Sequence, residues 1–205
     1  MTFQLRLPEP QTCDGIIFDL DGTLWDTTAA VSRVWTKEFG REIPMETIRS
    51  CMGKTAAEIS QVIGVTPEQL AVAQSKENDH LWRRGGRVYP NVFPLLRSLY
   101  LRTIPCFIVS NCQAGYIECF VHHHCTDRYF KAWRTSAAGP KAANIRSIMT
   151  AYGVNRPVVI GDTESDYQAA TENHLPMLQA WYGFGDPLPN VTGIADISEL
   201  VDLIT

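Results

Sequence analysis

An α/β fold, a doubly wound parallel sheet with a small helical unit inserted into it, is predicted by three features of this 205-residue chain. First, short apolar runs recur at Ile16-Ile17-Phe18, Phe107-Ile108-Val109 and Val158-Val159-Ile160, and each breaks off into polar residues. Runs of this kind mark strands buried on both faces of a sheet. Second, segments with helical spacing lie between them, giving the alternation that parallel strands need for their crossovers. Third, the stretch from Thr27 to Val88 carries helical signals and no convincing strand, so it reads as an excursion away from the sheet.

Taken in order, residues 1–12, with Pro8 and Pro10, read as an extended lead-in, and the first core strand begins near Cys13 or Asp14. That strand opens at its carboxyl end into Asp19-Leu20-Asp21-Gly22-Thr23. Inside the insertion, Val31, Val34, Trp35 and Phe39 form one apolar face, and Ile59, Val62 and Ile63 a second. Leu70, Ala73 and Leu81 form a third, behind the helix start Thr66-Pro67-Glu68. The joints fall near Asp26 and Arg87-Val88-Tyr89-Pro90, which divides the chain into a core of 1–26 and 89–205 and an insert of 27–88. From Asn91 a helix carries Val92, Leu95, Leu96 and Leu99, followed by a strand over 104–110 and a helix from about Ala114 to His124. A short strand at 129–134, a helix at 141–152, a strand at 157–161 and a helix at 164–173 follow. Leu175 to Ala180 reads as the last core strand, and 181–193, rich in Gly, Pro and Asp, as a loop before a terminal helix at 198–204. Right-handed crossovers then place helices on both faces and direct ligands to the carboxyl ends of the strands.

The composition, 45% hydrophobic, suffices for a full core and excludes disordered and fibrous classes. A net charge of −4 with scattered Lys and Arg gives no footprint for nucleic acid, so a small substrate is expected. No apolar run approaches the roughly 18 residues of a membrane span. The start, Met1 to Pro8, lacks the charged-then-apolar order of a signal peptide, so a cytoplasmic location is expected. The six cysteines form no CxxC pair and Cys106 falls in a buried strand, so reduced thiols are expected. His122-His123-His124-Cys125 contains soft ligands, but consecutive helical residues point around the circumference and do not converge on one ion. The expectation there is a solvated helix end, where histidines complement the negative pole of the dipole.

The chemistry concentrates on the first strand. Residues two apart in an extended chain point the same way, so Asp19 and Asp21 can face one ligand, although the turn at Gly22 can rotate the second. Their repulsion is relieved by a cation or by a proton on one of them, giving a magnesium-type oxygen site or a nucleophile beside a general acid.

Asp19-Leu20-Asp21-Gly22-Thr23 resembles DxDGT, the first motif of the phosphatases of the haloacid dehalogenase superfamily. The remaining motifs follow in order: Ser110-Asn111 after the second apolar run, Lys141, and Gly161-Asp162-Thr163-Glu164-Ser165-Asp166, similar to GDxxxD. Together they span residues 15–166. The resemblance implies a Rossmann-like core whose first strand lies between the second and the fourth, with 27–88 as a mobile helical cap. It also implies a magnesium-dependent phosphatase, of the phosphoglycolate phosphatase branch, acting on a small phosphorylated metabolite.

By the same resemblance, Asp19 attacks phosphorus and forms an aspartyl phosphate, while Asp21 protonates the leaving alcohol and then deprotonates water. Asp21 then needs a raised pKa. Mg2+ is held by the Asp19 carboxylate, the Asp21 carbonyl and Asp162, with Asp166 reaching its waters or orienting Lys141. Ser110 and Asn111 hold the phosphoryl group, and Lys141 offsets its developing charge. Here the order is Pro140-Lys141, whereas many relatives have Lys-Pro. Glu164 reads as a dipole-complementing residue. Arg49 and Cys51-Met52-Gly53-Lys54-Thr55 resemble a specificity loop, with Lys54 placed for a substrate's anionic end. Phosphonatases carry alanine and translocating ATPases threonine where Asp21 stands. A sugar-phosphate mutase of the same superfamily is the enzymatic alternative, and an inactive binding module the non-enzymatic one. No acid of this set lies between Thr27 and Val88, so the insert is expected to select substrates and the core to do the chemistry.

Overall fold

Side chains of the central strands alternate between two apolar layers, and this alternation builds the core. In the computed structural model, which describes residues 2–7 and 11–204, Ile16 and Phe18 join one buried cluster and Ile17 the other. Cys106 and Ile108 likewise part from Phe107 and Val109, and Val158 and Ile160 from Val159. A strand covered on both faces has no polar side, which is why these stretches read as continuous apolar runs.

The chain begins with β1 (Phe3–Leu5) and β2 (Gln11–Cys13), an antiparallel pair. The expected single extended lead-in is therefore a hairpin; Pro8 and Pro10 lie outside the described residues. The first core strand, β3 (Gly15–Phe18), follows, then β4 (Trp25–Asp26). Four helices come next: α1 (Thr28–Phe39), α2 (Met45–Cys51), α3 (Ala56–Ile63) and α4 (Pro67–Arg84). Capping boxes at Thr55/Glu58 and Thr66/Gln69 start α3 and α4. Val31, Trp35, Ile48, Ile63, Leu70 and Ala73 pack into a cluster of their own, whereas Leu81 joins the main core and Val62 is exposed. The face expected for Val62 is corrected accordingly, since α3 turns it to solvent, whereas Leu81 is buried on the expected face of α4, a helix long enough to reach the main core.

The return is made by β5 (Arg87–Val88), antiparallel to β4, with Trp25 opposite Val88 and Asp26 opposite Arg87. This two-stranded ribbon joins the chain on either side of the four helices. Then come α5 (Val92–Leu101), β6 (Cys106–Val109), α6 (Tyr116–His123), β7 (Phe130–Arg134) and α7 (Lys141–Tyr152). The chain closes with β8 (Pro157–Gly161), α8 (Glu164–Glu172), β9 (Met177–Ala180), β10 (Thr192–Ile194) and α9 (Glu199–Leu203).

Six strands form one parallel sheet in the order β10-β9-β8-β3-β6-β7, so the first core strand lies between the second and the fourth. β9 is not the last strand: Thr192 to Ile194 pairs with Leu178 to Ala180 and extends the edge. The helix ending in His122 and His123 is not simply solvated either. His122 stacks on Trp82 of α4 at 3.8 Å, and half-buried His124 lies edge-on to Trp25 with ring centroids 6.2 Å apart. The six cysteines are free, and among the described residues no helix is long and apolar enough to cross a membrane.

Candidate active site

Where β3 ends, the Asp19 amide still donates to Ile160 O of β8 at 2.8 Å, and the chain then turns sharply at Gly22. Gly22 adopts φ +78°, and a Cβ there would collide with the Asp162 carboxylate. Only glycine meets both demands. The turn separates the two acids. Asp19 Oδ1 accepts from Lys141 Nζ at 2.7 Å, and Lys141 also donates to Asp166 Oδ1 at 2.7 Å, all three side chains being buried. Asp21 Oδ1 instead accepts from Tyr116 Oη at 2.8 Å and Thr27 Oγ1 at 3.1 Å.

The remaining acids come from the end of β8. Asp166 Oδ2 caps its own helix, accepting from the Thr163 amide at 3.0 Å and hydroxyl at 2.8 Å. Asp162 is fully buried; its Oδ2 accepts from the Phe184 amide at 2.7 Å, while Oδ1 has no partner among the described residues. Residues 181–193 thus hold this acid through Phe184, and Tyr182 Oη donates to Thr23 O at 2.9 Å, bracing the turn after Asp21. Carboxylate oxygens of Asp19, Asp162 and Asp166 lie within 4.8 Å of one another.

Such crowding shows in the proton affinities. Burial and then the Asp19 charge push Asp21 up to about 7, against the opposing Tyr116 and Thr27 hydrogen bonds. Burial also raises Asp19, to about 6, with Lys141 pulling it back and Asp166 adding to the rise. Asp162 is raised by burial and by the charges of Asp166 and Asp19. For Lys141, burial works against the charge, but Asp166 and Asp19 more than offset it and its proton is held tightly. One ammonium faces three buried carboxylates, and Asp162 Oδ1 has no partner among the described residues, a donor set able to hold a cation. Hard oxygen donors at this spacing fit a small divalent ion such as magnesium.

A cavity of about 80 Å3 lies between the insert and the sheet, bordered by Asp19, Asp21, Ser110 and Asn111 from the core and by Lys54 from the insert. Ser110 is 4% exposed there. Asn111 is already engaged: its Nδ2 donates to Gly53 O at 2.8 Å and Ser165 Oγ at 2.9 Å, joining the loop after α2 to α8. Arg49 is exposed on α2 and does not line the cavity. Tyr116 and Glu77 were missed from the sequence because a polar residue in a helical pattern reads as solvated face until packing shows where it points, and Thr27 and Gln113 because a lone polar residue ahead of a helix reads as a turn. Glu77 matters most: it is a buried acid of the insert, outside the set read from the sequence, and it lines this cavity.

Residues 16–180 match the profile of the haloacid dehalogenase-like hydrolases, and the chain belongs to that family. Among solved structures, a predicted phosphoglycolate phosphatase of Haemophilus somnus superposes with a TM-score of 0.81 at 16% identity, over 93% of this chain and 97% of that one. A predicted phosphatase of Clostridium acetobutylicum gives 0.77 at 23% identity, over 93% and 97%. CbbY of Rhodobacter sphaeroides, solved with phosphate, gives 0.77 at 16%, over 92% and 96%. A comparison with curated proteins finds no match.

Proposed function

We propose that the protein is a magnesium-dependent phosphatase of small phosphomonoesters that works through an aspartyl phosphate on Asp19. The observation that carries this reading is the pair of acids on one turn with opposed surroundings, Asp19 against an ammonium and Asp21 against two hydroxyls. Environments that separate two carboxyl groups in this way assign a nucleophile and a general acid. The predicted phosphatases among the structural neighbours are consistent with it.

Lys141 fixes Asp19, whose carboxylate forms a bond to phosphorus as the bond to the leaving oxygen breaks. Asp21, held by Tyr116 and Thr27, gives its proton to that oxygen. It then takes a proton from water as the water oxygen attacks phosphorus, which frees Asp19 and releases phosphate. Magnesium held by Asp19, the Asp21 carbonyl and Asp162, with Asp166 behind, would neutralise charge on the phosphoryl oxygens. Ser110 and Lys141 add donors on that side. Residues 27–88 act as a cap on the core of 1–26 and 89–205, pivoting at the β4/β5 ribbon, and Lys54 meets the substrate from the cap. Closure excludes water and keeps Asp21 protonated.

The test is a panel of phosphomonoesters assayed with magnesium and with chelator, with and without a sugar-phosphate acceptor. Phosphate release that needs magnesium and no acceptor is expected. Binding without release across the panel contradicts hydrolysis, and transfer in place of release assigns a mutase.

A further inference from the structure

β9 is an apolar strand with one exception, Gln179, whose side chain is fully buried. A buried amide destabilises the fold unless its polar atoms find partners, a demand that an aliphatic side chain in the same place would not make. Here they are found. Gln179 Nε2 donates to Asp162 O at 3.0 Å and to Asp186 O at 2.8 Å, and its Oε1 accepts from the Leu188 amide at 2.8 Å. Both donor hydrogens and one acceptor site are thus spent on backbone, tying the loop after β9 to the acid that follows β8.

Two glycines let that loop lie against Asp162. A Cβ at Gly183 would collide with the Asp162 side chain and with Gly22 O, and one at Gly185 with Asp162 O. Between them the Phe184 amide donates to Asp162 Oδ2 at 2.7 Å. Asp162 is left with one open oxygen, Oδ1, which has no partner among the described residues. The other acids are restricted in the same way: Lys141 occupies Asp19 Oδ1 and Asp166 Oδ1, and Thr163 occupies Asp166 Oδ2. Acids that offer one oxygen apiece suit a small octahedral ion that keeps several waters, whereas calcium takes more ligands at longer range and accepts both oxygens of one carboxylate.

We propose that Gln179 is a positioning residue for the cation: by anchoring residues 183–188 it keeps the Phe184 amide on Asp162 Oδ2, so that Asp162 serves as a one-oxygen ligand and the site favours magnesium over calcium. This rests on the magnesium reading above and extends it to the residues that back the acid. Without the Gln179 amide, the loop is released from Asp162 O and Asp186 O. Oδ2 then becomes free to join Oδ1 on a larger ion.

The test needs no substrate. Mg2+ or Ca2+ is titrated into the wild type, Gln179→Met and Gly185→Ala, and binding is followed by calorimetry and by the rise in Tm. Gln179→Met keeps the size and removes the amide; Gly185→Ala pushes the loop off Asp162 with Gln179 in place. The wild type should bind magnesium at least about tenfold more tightly than calcium. In both variants Kd for magnesium should rise about 10–100-fold. Kd for calcium should rise much less, so that the preference falls at least about tenfold. Both constants refer to the same folded fraction, so partial unfolding leaves their ratio alone. An unchanged Kd for magnesium overturns the proposal, and so does an equal weakening of both ions, which would leave Gln179 a brace for the loop. Should neither variant fold, the wild-type preference decides, and calcium bound as tightly as magnesium overturns the assignment. A wild type that binds neither ion removes the magnesium reading itself, and is thereby told apart from one that binds magnesium while the variants keep its preference, which counts against Gln179 alone.

Discussion

Asp21 and Asp19 share a turn, but no ammonium among the described residues pairs with Asp21. Burial and then the Asp19 charge raise it to about 7 against the Tyr116 and Thr27 hydrogen bonds, which makes it the acid of the pair able to carry a proton near neutrality. Asp21→Asn should lower kcat on alkyl phosphates by about 10²–10⁴-fold and much less on aryl phosphates, whose leaving oxygen needs little help. Equal losses would make Asp21 structural. The Tyr116 hydroxyl lowers the Asp21 pKa, so Tyr116→Phe raises it. Activity that requires protonated Asp21 falls as pH passes that value, so the alkaline limb of kcat should move to higher pH in Tyr116→Phe; a shift to lower pH contradicts the assignment. Glu77 gives a sign that needs no substrate. Its pKa rises from 4.5 to about 8 on folding, so across that window the folded state keeps a proton that the unfolded chain releases. Stability therefore falls with rising pH there, by at most about 1.4 kcal/mol per unit. Glu77→Gln should remove this slope, its urea midpoint gaining on the wild type between the two ends of the window, whereas a constant offset would contradict a buried, protonated Glu77.

At the scale of elements, the strand ends that carry Asp19, Ser110 and Asp162 were legible because a doubly buried strand must stop being apolar where it meets the site. The DxDGT and GDxxxD runs were legible through their resemblance to the family's motifs. β10 was not: three residues including Gly193 pair through backbone alone and leave no apolar pattern. Nor were Glu77 and Tyr116, since helical periodicity gives the face of a residue but not the neighbouring element. Asn111 shows the same limit. It reads as a phosphoryl donor, yet the structure uses it to tie the Gly53 loop to α8. Asn111→Ala removes both bonds and should loosen the closed arrangement by about 1–2 kcal/mol, seen as roughly a 5–30-fold rise in KM. An unchanged KM would place the latch elsewhere.

For the molecule as a whole, the fold concentrates Asp19, Asp162 and Asp166 at adjoining strand ends with Lys141 as the cation among them. Relief of that repulsion by magnesium should stabilise the folded state. Saturation at about a hundred times Kd gives about 2.7 kcal/mol, a rise of roughly 5–11 °C in Tm for a chain of this size. Asp162→Ala should abolish most of that rise, and a Tm indifferent to magnesium in the wild type would exclude the cation from this cluster.

The central claim is that Asp19 becomes phosphorylated. Rapid quenching of the Asp21→Asn enzyme during turnover of an aryl phosphate, followed by peptide mass spectrometry, tests it most directly. The account predicts an acid-stable, hydroxylamine-labile phosphoryl adduct on Asp19 that is absent from Asp19→Asn. Phosphate release with no adduct at any time point, or an adduct on another side chain, would contradict it.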